Sequence, residues 1–225
     1  LPLPGLPPPD PGYNPEKDPN QDFFPGETLT YLAAKARQDP AGPWLDTYDQ
    51  VFPTYRQRFR RIPHPAAVPW LAQACVQRYR CDKSSEARDF AFEVVDWHLD
   101  NLQPFAEMDP FLRGSPINPN HKRYGPVSAT SGPGVQLEGL VEAYWLARVL
   151  DDKPRQQRYQ SAILETSRYL IQMQYRDPEE LYWLAPALRA APQGGLRDMP
   201  WDHRIQSDSA AHALNAWVHY LESLR

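Results

Sequence analysis

Cysteine is nearly absent from this sequence: Cys75 and Cys81 are the only two in 225 residues. They stand six apart, in and just after an expected helix, and so point to different faces. Ordinary thiols are the expectation, a disulfide or metal role the alternative, and the compartment is not readable from them. A basic excess is lacking as well. Lys and Arg total 24 against 28 Asp and Glu, for a net charge of −4 and a pI of about 5.9. That argues against a general nucleic-acid binder, which shows a clustered basic face. No apolar run approaches the roughly 18 residues needed to cross a bilayer. No Walker-type loop, GxGxxG, GxSxG elbow or CxxC occurs. The GPG at 132–134 is a helix start, too short to cradle a phosphate. Nucleotide cofactors have no support, and no cofactor is expected.

What is abundant is proline, 26 residues, and tryptophan, 7 residues. With 41% hydrophobic and 23% charged residues the chain can form a core, despite a mean hydropathy of −0.66. Its length fits one domain with a tail. Residues 1–25 hold nine prolines (LPLPGLPPPDPGYNPEKDPNQDFFP), which favour polyproline II and exclude a helix. This segment is expected to be an extended arm or linker, with a ligand for a proline-recognising module as the alternative. Residues 26–225 form the expected domain. Leu1 in place of an initiator Met leads to the expectation of a chain processed or excised from something longer. No signal peptide stands at its start. A mature exported protein would look like this, and so would an excised C-terminal domain; the compartment is left open, with export or the periplasm slightly favoured over the cytoplasm.

From residue 26 the apolar period is helical almost throughout. Helices are expected near 26–38, 43–60, 66–80, 85–103, 134–151, 154–175 and 208–224. Pro53 should kink or interrupt the second, whereas Pro69 and Pro154 fall in first turns, where proline is tolerated. The segments 104–132 and 178–206 read as irregular apart from a short turn near 180–184. No segment shows convincing strand alternation. The third and fifth helices are apolar almost all round and should be buried. The second, fourth and sixth carry a charged stripe and belong outside. TYLAAKA, PWLAQAC and EGLVEAY open three successive hairpins, a loose repeat that implies stacking. Three hairpins and a last helix are too few for a twelve-helix barrel, so the ring is smaller or its other helices lie outside this sequence.

Two stretches carry a resemblance. SATSGPGVQLEGLVEAYWLA (128–147) is similar to a hairpin opening S-A-x-x-G-x-x-L-E-G-L-x-x-A-Y-x-L-A. GGLR (194–197) followed by IQSDSAAHAL (205–214) is similar to G-G-[FL]-R before I-x-x-D-x-x-x-H-A-L. Both phrases resemble bacterial α/α-toroid domains, the six-hairpin glycosidase superfamily with its lyase and epimerase relatives. The resemblance implies an all-α fold of antiparallel hairpins in a partial or small α/α toroid. It implies action on, or binding of, an oligo- or polysaccharide. The alternative from a different class is a non-catalytic helical scaffold within a larger protein. Inner helices of a toroid run in one sense, so Glu27, His64, Glu138 and Asp208 would gather at one mouth.

The last helix is the most informative. On a 100° wheel Asp208, Asn215 and His219 lie within about 60° of His212, opposite Ala210, Leu214, Trp217 and Leu221. A solvated stripe usually carries Lys, Glu or Arg, whereas Asp, His and Asn suit a lined cavity. Asp208 would orient His212 for acid–base work or sugar binding. The plain alternative makes Ser207 or Asp208 an N-cap and the histidines structural. A metal held by Asp208, His212 and His219 fits on spacing but has no HExxH or Cys/His signature, so none is expected. Glu138 and Glu142 share one side of an apolar helix. Burial would raise a carboxyl toward general-acid use, with Glu138 as the candidate. Otherwise both pair with arginines such as Arg197 or Arg204. For Glu27 the plain reading is a favourable charge on the helix dipole. The loops 121–126 and 194–204 offer Tyr124, Arg197, Trp201, Asp202 and Arg204 for substrate binding, and His64 joins them. In the plain reading the second loop caps the ring, with Trp201 packed on it and Arg197 in an ion pair.

Overall fold

A computed structural model describes residue 14 and residues 18–103, 109–116 and 131–225. Among the described residues the protein is helical apart from one small hairpin. Helices α1 (Phe24–Gln38), α2 (Trp44–Arg61), α3 (Ala67–Asp82), α4 (Ser85–Leu102), α5 (Ser131–Val149), α6 (Lys153–Met173) and α7 (Ser207–Ser223) follow one another. Short 3-10 turns lie at Pro19–Asp22, Pro178–Leu181 and Pro186–Leu188. Strands β1 (Arg197–Met199) and β2 (Asp202–Ile205) pair antiparallel with a register irregularity.

Local chemistry starts the helices where the sequence places them. Ser84 accepts from the Ala87 amide, and Asp152 accepts from that of Arg155, each satisfying an amide that the helix start leaves unpaired. α2 runs through Pro53 as one helix, so the proline does not interrupt it. One expectation gives way. Residues 18–25 are not extended: Asp18 caps the 3-10 turn at Pro19–Asp22, and α1 begins at Phe24, with Pro25 in its first turn. The rest of the proline-rich arm lies outside the described residues, apart from residue 14.

The helices form two layers. α3 packs on α1, α4 and α5, and α5 in turn packs on α6 and α7. The inner layer therefore runs α1, α3, α5, α7. Its seams depend on small residues that let backbones approach. A Cβ added at Gly139 of α5 would stand 2.6 Å from the Cα of Pro69 in α3, and one at Gly26 of α1 2.4 Å from the Cβ of Trp70. The outer layer, α2, α4 and α6, is joined by charge. Arg56 and Arg60 of α2 pair with Glu86 and Glu93 of α4, while Asp96 and Asp100 of α4 pair with Arg155 and Arg158 of α6. Under these pairs Phe52 and Phe59 meet Phe90 edge-on.

α7 docks differently from the others. Its buried side chains are the small Ser209, Ala213 and Ala216. Its polar stripe turns toward α5, and Leu214 (62% exposed) and Leu221 (61%) face solvent with Val218.

Candidate functional site

Because the inner helices share one sense, their N-terminal ends meet. There a cleft of about 400 Å³ opens, lined by Phe23, His64 to Ala66, Pro69, Trp70, Gly132, Val135, Gln136, Asp208 and His212. Each element contributes for a local reason. Pro69 and Trp70 lie in the first turns of α3, and Gln136 donates from Nε2 to the Pro65 carbonyl at 2.7 Å, fixing α5 against the α3 start. Asp208 stands in the first turn of α7, where a negative charge suits the helix dipole. Its Oδ1 accepts from the Ser209 amide. The N-cap itself is Gln206, without a side-chain bond.

At this cleft α5 and α7 exchange a connected set of groups. Glu138, 7% exposed, accepts from Asn215 Nδ2 at 2.7 Å, and its Oε2 lies 3.2 Å from His212 Nδ1. A carboxylate can only accept, so Nδ1 carries the hydrogen and Nε2 is the nitrogen that titrates. The bond to Glu138 raises the His212 pKa above 6.5. Burial opposes the shift, while the charges of Glu138, Asp208 and Glu27 reinforce it. The His212 ring meets Trp70 edge-on at 6.0 Å. About two turns further along α7 the pattern recurs. His219 Nδ1 lies 3.3 Å from Glu142 Oε1, while Arg80 Nη2 is 2.9 Å from Oε2. The bond to Glu142 likewise raises the His219 pKa. Arg80 also lies 4.0 Å from the Trp145 ring centre. This second cluster borders a separate cavity of about 150 Å³.

The sequence-derived candidates thus divide. His64, Asp208 and His212 line the cleft, and Glu138 anchors His212 from below. His64 accepts from the Ala66 amide through Nδ1, which also lies 3.7 Å from Asp22 Oδ2. The orienting partner of His212 is Glu138 rather than Asp208. Neither Glu138 nor Glu142 pairs with Arg197 or Arg204; their partners are the α7 histidines, Asn215 and Arg80. Arg197, Trp201, Asp202 and Arg204 do not line the cleft. They belong to the β hairpin, which the sequence reading took for irregular chain. Arg197 donates to the Gln172 carbonyl at 2.9 Å and lies over Tyr175. Arg204 pairs with Asp202 and with Asp198. Trp201 sits at the turn, 45% exposed. Tyr124 and its loop lie outside the described residues. Sequence reasoning passed over Trp70 and Gln136, which look like core residues of apolar helices. It also passed over Arg80, whose partner is remote in the chain. A cue for the α5–α7 register was present, because Glu138 and Glu142 form a polar stripe on α5 that matches His212 and His219 on α7. Among the described residues no group of three or more His, Cys, Asp or Glu side chains is placed to hold a metal ion. Comparison with protein-family models, curated proteins and solved structures finds no match for this chain.

Proposed function

We propose that this chain is a carbohydrate-active domain of the α/α-toroid kind, hydrolase, lyase or epimerase in type, which takes an oligosaccharide into the cleft at the N-terminal ends of α1, α3, α5 and α7. The observation that carries the reading is the buried Glu138, holding the His212 ring from Nδ1 at the wall of a cleft that Trp70 and Phe23 also line. A ring fixed in this way presents one titrating nitrogen, Nε2, in a defined tautomer. Its raised pKa brings proton exchange toward neutral pH, as general acid–base chemistry requires. Glu138 and Asn215 position the ring, while Asp208 supplies a second carboxylate at the rim. The aromatic side chains suit the apolar faces of sugar rings. The all-α architecture, with α1, α3, α5 and α7 packed in an inner layer, is compatible with a hairpin fold of this kind.

A thermal-shift screen against neutral, amino and acidic oligosaccharides tests the proposal. A ligand that binds only the folded state raises the melting temperature by mass action. The expected result is a hit that is lost in His212→Ala. A flat screen with cooperatively folded protein would overturn it.

One observation favours a second reading, a non-catalytic scaffold of a larger assembly. Leu214, Val218 and Leu221 form an exposed apolar stripe on α7, and such contiguous patches commonly mark interaction surfaces. Concentration-dependent self-association or partner capture, lost in Leu214→Glu, together with a flat sugar screen, would select this reading.

A further inference from the structure

The charge pattern of the cleft narrows its ligand. Among the described residues that line it there is no Lys or Arg. The two arginines that sequence reasoning offered for binding a carboxylate, Arg197 and Arg204, are engaged within the hairpin region. Arg58, which lines a separate pocket, is bound to Asp22 at 3.1 Å. Carboxylates, by contrast, collect here. Asp208 lines the cleft, and Asp208 and Glu27 are both felt electrostatically by His212. Asp208 and Glu27 are exposed. Neither has a salt-bridge partner among the described residues.

Helix N-termini are the usual remedy where an anion must bind without a basic side chain. At the starts of α1 and α3 that remedy is largely used up. Glu27 and Asp208 already occupy the first turns of α1 and α7. The first amides of α1, those of Gly26 and Glu27, donate to the Phe23 carbonyl. At the start of α3 the Ala67 and Val68 amides donate to His64 and Pro65, and Pro69 has no amide hydrogen. An anionic sugar would therefore meet Asp208 and Glu27 with no Lys or Arg among the described lining residues, and the charge of a protonated His212 is already met by Glu138. A ligand that offers hydroxyls finds acceptors, and one that carries an ammonium finds Asp208 and Glu27. Gln136 adds a polar floor. Its side chain is 93% buried by residue area, and Oε1 has no hydrogen-bond partner among the described residues.

We infer that the cleft selects saccharides bearing a free amine over the matching uronic acids, with neutral sugars between them. This rests on the saccharide reading above and deepens it. It also disfavours lyase chemistry, in which a proton is removed beside a uronate carboxylate and that carboxylate needs a cationic neighbour.

The test uses the full chain and three oligosaccharides of equal length and linkage, built from glucosamine, glucose and glucuronate. Binding is measured by calorimetry at pH 6, where amine and uronate are both charged, at low and high salt. The expected result is a glucosamine oligomer bound about tenfold more tightly than the glucuronate one, as befits partly exposed charges. That ratio shrinks in salt and shrinks again in Asp208→Asn and in Glu27→Gln, both exposed positions whose replacement leaves the packing intact. Uronate binding best, or a ratio that neither substitution moves, would overturn the selectivity and leave the saccharide reading standing. Equal binding of all three would do the same. Binding of none would remove the saccharide reading and this inference together.

Discussion

The outer and inner layers of this protein both join their helices with opposite charges, yet the two seams are built differently. In the outer layer the pairs are long and wet. The Arg60 and Glu93 side chains are 52% and 36% exposed, and those of Arg158 and Asp100 are 39% and 62%. Water competes for such groups, and holding two long side chains in one geometry costs entropy, so each pair contributes little. In the seam between α5 and α7 the carboxylates are buried. The Glu138 and Glu142 side chains are 7% and 5% exposed, and each is met by a histidine of α7, Glu142 by Arg80 as well. A buried carboxylate left alone is costly, and a histidine bond depends on pH. The outer seam is therefore tolerant, whereas the inner one is sensitive to single substitutions and its histidines hold their protons above the ordinary value of 6.5.

The largest effect should come where backbones touch in the inner layer. Gly139→Ala sets a methyl against the Pro69 backbone, which cannot swing aside as a flexible side chain would. Denaturant titration should show a loss of about 3 kcal/mol. A change near zero would mean that α3 and α5 are not in this register. Next is His212→Ala, which leaves buried Glu138 with Asn215 alone. A loss of about 2 kcal/mol is expected, reduced from that of a fully buried pair because the histidine is partly exposed. His219→Ala should cost less, since Arg80 still meets Glu142. Equal losses would contradict the assigned partners.

The pH dependence follows from the sign of each shift. His212 and His219 have pKa values raised above 6.5 by their carboxylate partners. Their contribution is fully present below the unfolded value of about 6.5 and is lost as pH rises through the folded values. His98, on α4, behaves oppositely. It is buried, and burial pushes its pKa down to about 3. It folds neutral, so stability falls as pH drops below 6.5. Melting temperature should therefore peak near pH 6.5. Replacing both α7 histidines with asparagine should flatten the alkaline side, and a fall above pH 6.5 unchanged in that double variant would refute the assignment. Smallest of all, Glu93→Gln in the outer seam should move stability by no more than about 0.5 kcal/mol. A loss approaching that of His212→Ala would erase the distinction between the layers.

Helix positions were readable because amphipathic period and first-turn signals act locally; Ser84, Asp152 and Pro154 each mark a start with their own chemistry. The inner and outer assignment followed from the all-round apolar character of α3 and α5. Of Glu27, His64, Glu138 and Asp208, expected at one mouth from helices of common sense, His64 and Asp208 line the cleft, whereas Glu138 lies behind His212 and Glu27 is not in the lining. What local reasoning missed depends on register between distant segments. Asp208 lies one turn from His212, yet the carboxylate that reaches the ring comes from Glu138, 74 residues away. The β hairpin escaped because its strands are three and four residues long with a broken register, too short for alternation to show. Its arginines then looked free for a ligand, although Arg204 is paired two residues back with Asp202. On the wheel Leu214 and Leu221 fall opposite the polar stripe, and in the structure they face solvent. In the structure Ser209, Ala213 and Ala216 are what α7 buries.

The most direct test of the central claim is an NMR titration of the His212 ring in the intact chain, paired with the same titration in Glu138→Gln. The account predicts an imidazole that titrates above 6.5 in the unaltered protein, keeps its hydrogen on Nδ1 when neutral, and drops in pKa once Glu138 loses its charge. A ring that titrates at or below 6.5, or one that Glu138→Gln leaves unmoved, would contradict it.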